Sequence, residues 1–191
     1  MTARTHDAFA FASLITVATL YPPATINIST LMAGLVGNIV GGLLPDIDQA
    51  SNKLWGFLPA GNYFGRIFRR FLWEHRTLSH SLVGGYLFYK ILEWLLPKLL
   101  NPNYINVSVV TACIIIGFLS HLIADSLTKE GIPLFFPLKF NIGFPPISTL
   151  RITTGGKIEK YLILPGTAIY LFWFINSHST ELFQLIRSIT K

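Results

Sequence analysis

Two residues near the middle of this 191-residue chain, His121 and Asp125, form the pattern H-x-x-x-D. On a helix, residues four apart stand one turn above each other on the same face, so both side chains can reach one ion. Imidazole nitrogen and carboxylate oxygen bind zinc and similar metals at about 2.0–2.2 Å. By itself the pair has a plain alternative, a polar contact across a helix bundle. Asp46-Ile47-Asp48 follows Leu44-Pro45, where a helix must end. A helix would split the two carboxylates between faces, whereas a turn can present both. The simpler alternative is a polar turn that ends a helix. Glu74-His75-Arg76-Thr77-Leu78-Ser79-His80-Ser81 is dense in polar groups just where an apolar run begins. Thr77 is suited to cap the helix that follows. His75 and His80 are five apart and do not share a helical face, so one is expected before the helix and one in its first turn. Ser79 and Ser81 read as packing hydroxyls or as partners that orient a ligand, packing being the simpler reading. His6 stands alone near the amino terminus, and His178 falls at the far end of its segment.

The elements that must carry these residues are unusually apolar. Hydrophobic residues make up 51% of the chain and charged residues 13%, about half the roughly 25% usual for a soluble domain. Residues 8–45, 99–124 and 161–180 contain no Asp, Glu, Lys or Arg. A span needs about 20 mostly apolar residues to cross roughly 30 Å of hydrocarbon. Five segments are expected to cross: 8–20, 28–44, 78–96, 105–124 and 161–175. Tyr21-Pro22-Pro23 turns the chain between the first two, and Pro97 is expected to end the third. The start of the chain, Arg4 and then an apolar run, has the outline of a signal peptide, but no A-x-A site follows. Gly37 and Gly41 share a helix face and permit close helix packing.

Residues 46–76 interleave Arg and aromatic side chains, as in a segment lying in the membrane interface. Within it, Arg66, Arg69, Arg70 and Arg76 are candidates to neutralise a phosphate or a lipid headgroup. The loop 128–160 is rich in Pro, Gly and Phe. Its Leu150-Arg151-Ile152-Thr153-Thr154 before Gly155-Gly156 reads as a hairpin strand and turn. The tail after Asn176 reads as a short amphipathic helix. The expected fold is therefore all-α, one membrane-embedded domain over 1–191, a polytopic bundle of about five spans with a hairpin-like loop near 132–158. Cys113 lies in an apolar run and permits no internal disulfide. The net charge of +6 reads as orientation and attraction to anionic lipid, and no basic tail points to direct nucleic-acid binding.

If each segment crosses, one face holds Arg4, Lys53, Arg66, Arg69, Arg70, Arg76, Lys129, Lys139, Arg151, Lys157 and Lys160. The other holds Lys98, Arg187 and Lys191, with Lys90 between. Cytoplasmic loops carry the excess of Lys and Arg, so the amino terminus is expected inside and the carboxy terminus outside. The same up-and-down path brings His6, Asp46, Asp48, His75, His80, His121 and Asp125 to the cytoplasmic face, and leaves His178 at the other. Ionisable residues at membrane depth are costly and usually functional.

The segments Leu43-Leu44-Pro45-Asp46-Ile47-Asp48, His75-Arg76-Thr77-Leu78-Ser79-His80-Ser81, His121-Leu122-Ile123-Ala124-Asp125-Ser126-Leu127-Thr128 and Gly131-Ile132-Pro133-Leu134 resemble the YdjM family. The resemblance runs over about residues 4–140 and implies a polytopic inner-membrane protein. The family is described as membrane-bound metal-dependent hydrolases and as LexA-binding, inner-membrane-associated proteins. A more distant similarity is to zinc-dependent phospholipase C and the P1-type nucleases. These also use an early His, an Asp, a His and then H-x-x-x-D around clustered zinc. Their further ligands for a third metal have no match here, which leaves one or two ions.

The function expected is a metal-dependent hydrolase acting on a phosphoester, with a membrane lipid as one such substrate, by metal-activated water. Asp125 would bridge two ions, Asp46, His80 and His121 would complete one site, and His6 would hold the other. Asp48 and His75 would be ligands or catalytic orienters. Zinc is expected ahead of manganese from the mixed donors. Two other classes compete with this one. In a non-catalytic scaffold or regulator the metal staples helices in a closed site. A transporter would place its charges at the midplane, whereas these cluster at one face.

Overall fold

The computed structural model describes residues 1–48, 56, 78–138 and 140–189. Six α-helices account for most of them. Helix α1 is Ala3–Leu20. Helix α2, Ile28–Leu43, is capped by Asn27, whose side chain accepts from the Thr30 N–H. A 3₁₀ turn, Pro45–Asp48, follows. Helix α3 is Leu82–Leu99. Helix α4, Val107–Ser126, is capped by the Asn106 side chain. A π-helical turn, Glu159–Ile163, leads into α5, Leu164–Ser177. Helix α6, Ser179–Ile189, is strongly amphipathic.

The all-helical architecture is the one the sequence predicts. Among the described residues, α4 alone is long and apolar enough to cross a membrane, with a mean hydropathy of 2.3 over its best window. Helix α2 is apolar but shorter.

Helix α4 is the centre of the fold. It packs along α2 most extensively and along α1 on another side. Glycine makes the first contact possible. A Cβ on Gly41 would lie 2.0 Å from the Ile114 carbonyl oxygen, and one on Gly117 would lie 2.1 Å from the Asn38 carbonyl oxygen. The two backbones therefore touch, as small residues allow between apolar helices. Asn38 adds a hydrogen bond from its side-chain amide to the Cys113 carbonyl at 3.2 Å. Val110, Ile114, Phe118 and Leu122 carry the buried side of α4. Helices α3 and α5 are different, because most of their large apolar side chains face outward. Trp94, Ile169 and Phe172 are examples.

Several expected boundaries move. Helix α1 begins five residues before the predicted 8, which places His6 inside its first turn rather than ahead of the span. Helix α3 begins at Leu82, not 78, because Ser81 supplies the cap. The Ser81 hydroxyl accepts from Gly84 N–H at 3.0 Å and donates to the Leu78 carbonyl at 2.7 Å. Pro97 lies within α3 instead of ending it. Proline lacks one N–H, but its φ is compatible with a helix, and Leu100 N–H still closes the last turn on Leu96. The expected hairpin near 132–158 is replaced by two isolated bridges, Ile132 with Ile142 antiparallel and Thr128 with Ile152 parallel. Pro133, Pro137, Pro145 and Pro146 lack the N–H groups that a longer ladder would need.

Candidate metal centre

The first turns of α1 and the approach to α3 meet the last turns of α2 and α4 at one end of the bundle. Each contributes a side chain there. His6 comes from the first turn of α1, and Asp46 from the 3₁₀ turn that ends α2. His80 comes from the turn ahead of α3. His121 and Asp125 lie one turn apart on α4. His6, His80, His121 and Asp125 are 4%, 0%, 1% and 1% exposed, whereas the Asp46 side chain is 27% exposed and forms the open side.

The Asp125 carboxylate is the hub, and its two oxygens face different partners. Oδ1 lies 3.1 Å from His6 Nε2 and also receives the amino group of Met1. Oδ2 lies 3.7 Å from His80 Nε2 and 3.8 Å from His121 Nε2. Asp46 Oδ1 faces the same two imidazoles, at 3.6 Å from His80 and 3.9 Å from His121. The His6 and His121 rings stack with centroids 3.7 Å apart and 5° between planes. The His80 ring meets His121 edge-on at 5.4 Å.

The backbone determines which nitrogen of His121 is available. Its Nδ1 lies 2.7 Å from the Gly42 carbonyl oxygen, an acceptor only, so Nδ1 carries the proton and donates. Nε2 then presents a lone pair. It is buried and has no hydrogen-bond partner among the described residues. It faces carboxylate oxygens, which also present lone pairs. A cation placed among these acceptors would find lone pairs from an imidazole and from carboxylates. His6 Nδ1 is likewise buried without a hydrogen-bond partner among the described residues. His80 Nδ1 is held by the Ser79 hydroxyl at 3.1 Å, which gives Ser79 an orienting role beyond packing.

The donor set fits a divalent metal. Two ligands bound at about 2.0–2.1 Å to one ion can stand no more than about 4.2 Å apart, and the four Nε2–oxygen separations of 3.6–3.9 Å meet that limit. Two groups of possible ligands emerge, His6–His121–Asp125 and Asp46–His80–His121. They share His121, whose Nδ1 is engaged, so Nε2 can serve one ion only. Asp125, with an oxygen on each side, can serve two.

Five of the seven sequence-predicted ligands thus come together from four segments. Asp48 has its backbone in the 3₁₀ turn, and its side chain lies outside the described residues, as do His75, Arg66, Arg69, Arg70 and Arg76. His178 joins α5 to α6, stacks on Phe174 at 4.3 Å and has no part in the centre.

Sequence reasoning missed Glu159. It is 1% exposed and binds the start of α1 from across the chain. It accepts from Thr5 Oγ at 2.6 Å, Thr2 N at 2.6 Å, Thr2 Oγ at 2.8 Å and Gly155 N at 2.7 Å. The exposed N–H groups at a helix start favour a carboxylate. Burial pushes this carboxyl up, but the hydrogen bonds outweigh burial and bring it down to about 2. Glu159 thereby anchors the turn that presents His6. Only its position after Gly155-Gly156 hinted at a turn, and nothing local pointed to a partner at residue 2 or 5.

The family described as YdjM inner membrane protein matches residues 1–183. The chain belongs to this family. A relative in Bacillus subtilis (strain 168), "Uncharacterized protein YvsG", is 30% identical over 183 residues, covering 92% of this chain and 96% of that protein. "Inner membrane protein YdjM" of Escherichia coli (strain K12) is 27% identical over 140 residues, covering 71% of this chain and 63% of that protein. The protein of the same name in Shigella flexneri shows the same figures. No solved structure matches.

Proposed function

We propose that this YdjM-family chain is a membrane-bound, metal-dependent hydrolase of a phosphoester at the membrane interface. The observation that supports it most is His121. Its Nδ1 proton is committed to Gly42, and its buried Nε2 lone pair faces two carboxylates. His80, His121, Asp46 and Asp125 Oδ2 would hold one ion, and His6 with Asp125 Oδ1 a second. A divalent ion bound here would acidify a water and polarise the bond attacked. Zinc suits the mixed imidazole and carboxylate donors, with manganese next. The partly exposed Asp46 marks the side on which substrate would approach. Asp48 and His75 are assigned as ligands or orienting groups on sequence position, and Arg66, Arg69, Arg70 and Arg76 as partners of the phosphate or of headgroups. The site belongs on the cytoplasmic face if five segments cross, with the amino terminus inside and the carboxy terminus outside.

A second reading, a non-catalytic protein stapled by a structural metal, draws on the near-complete burial of His80, His121 and Asp125. Structural sites are closed, while catalytic sites keep a position open. Metal analysis of the detergent-purified protein, followed by a phosphoester screen with and without chelator, separates the two. Bound metal with chelator-sensitive hydrolysis supports the enzyme. Bound metal whose removal unfolds the chain, with no hydrolysis, supports the staple. A folded protein that cannot be loaded with metal rejects both.

A further inference from the structure

Below the metal centre a groove of about 610 Å³ runs between α1 and the segment leading into α5. Phe9, Ser13 and Val17 form one wall, and Leu162, Gly166 and Tyr170 the other. His6, Phe9, Ser13 and Val17 follow one another at spacings of three and four, so they form a single row on α1. The groove therefore begins one helical turn from a candidate metal ligand. From Phe9 to Val17 it extends about 12 Å at 1.5 Å per residue, close to the depth of one leaflet in a hydrocarbon core of roughly 30 Å.

The threonine and tyrosine hydroxyls in the lining ask nothing of an occupant. Thr16 Oγ donates to the Ala12 carbonyl at 2.8 Å and pairs with Tyr170 Oη at 2.9 Å. Thr167 Oγ donates to the Ile163 carbonyl at 2.9 Å. With these groups satisfied within the walls, the groove offers hydrocarbon contact, and its volume falls within the roughly 300–1,000 Å³ of small-molecule sites. The space above Gly166 is open, with nothing within 4 Å of a Cβ placed there. In an inner-membrane family the apolar molecule available to such a groove is lipid.

We propose that the α1–α5 groove holds one acyl chain of a phospholipid whose phosphate lies at the metal centre. The assignment of that lipid as substrate rests on the hydrolase reading, whereas its binding rests on the groove alone. The test uses the full chain purified in detergent, dipalmitoyl phosphatidic acid as probe, and native mass spectrometry. The wild type should retain one lipid. Gly166→Phe and Ser13→Phe, from opposite walls, should each lower retention by at least about tenfold, the equivalent of roughly two methylenes leaving an apolar site. Ile169→Phe, on the same helix but 69% exposed and outside the groove, should retain it. Metal content, unchanged in all three variants, shows that the centre is intact. Equal retention by the wild type and both groove variants overturns the proposal, as does a second copy of the chain retained in place of lipid. Selective loss of lipid without any chelator-sensitive cleavage by the wild type upholds the groove and overturns the substrate assignment.

Discussion

His121 and Asp125 present their side chains together because a helix returns to the same face after four residues. Replacement of either by Ala is expected to abolish metal binding, since Ser120 donates to Gly117 and Ser126 to Ile123 and neither can substitute. His178→Ala, stacked on Phe174 at the α5–α6 junction, should keep full metal content. Metal analysis of the three purified variants decides, and metal lost from His178→Ala but kept by Asp125→Ala would overturn the site. Glu159 makes a pH-dependent contribution. Its folded carboxyl at about 2 lies below the ordinary 4.5, so ionisation favours the folded state. That stabilisation is present above about pH 4.5 and is lost as pH falls from there towards about 2. Glu159→Gln should flatten this part of the stability profile in thermal unfolding, and an unchanged acid limb would refute the assignment. H-x-x-x-D was readable because its geometry is local. Glu159 was not, because its partners lie 154 and 157 residues away and no periodicity links them.

At the scale of elements, glycine sets the separation of α2 and α4 and hence the placing of His121 against Gly42. Gly117→Ala would drive a methyl into the Asn38 carbonyl. Overpacking typically costs about 1–3 kcal/mol, and here the obstacle is backbone rather than a side chain that can turn aside. The variant should unfold at a lower temperature and bind metal more weakly, because the Nδ1–Gly42 bond is displaced one turn away. Unchanged stability and unchanged metal affinity would mean that the helices separate without consequence for the centre. The spacing of Gly37 and Gly41 predicts this close approach, since composition and period suffice for it. Helix ends were harder to place. Thr77 and Ser81 both suit a cap by residue type, and the bonds from Ser81 to Gly84 and Leu78 select the later start. Pro97 misled for a related reason: its ring tolerates the last turn of a helix that ends two residues later. The hairpin expected around residue 152 failed because prolines along the same loop withhold the donors of a ladder.

Among the described residues many large apolar side chains are exposed, and that bears on how the molecule can be oriented. Helix α4 is long and apolar enough to cross a membrane. Asn101 precedes it and Thr154 follows it, and both are exposed. If α4 crosses, these two residues lie on opposite sides, and the excess of Lys and Arg beyond its carboxy-terminal end assigns that side to the cytoplasm. Single cysteines at the two positions, in a Cys113→Ser background, test the arrangement in intact cells with a membrane-impermeant maleimide. Asn101→Cys is expected to react from outside, and Thr154→Cys only after permeabilisation. A Cβ placed on Gly34 would lie 3.0 Å from the Cys113 sulfur, and the serine, slightly smaller than the thiol, should be accommodated beside that glycine. Reaction of both cysteines from the same side would mean that α4 does not cross. Reaction of Thr154→Cys from outside with Asn101→Cys protected would reverse the orientation and move the metal centre to the outer face. The candidate metal centre stands at the end of α4 next to Thr128, whose hydroxyl donates to the Asp125 carbonyl at 2.8 Å. Under the proposed hydrolase reading, the side that labels Thr154→Cys is therefore also the side from which a substrate would reach Asp46.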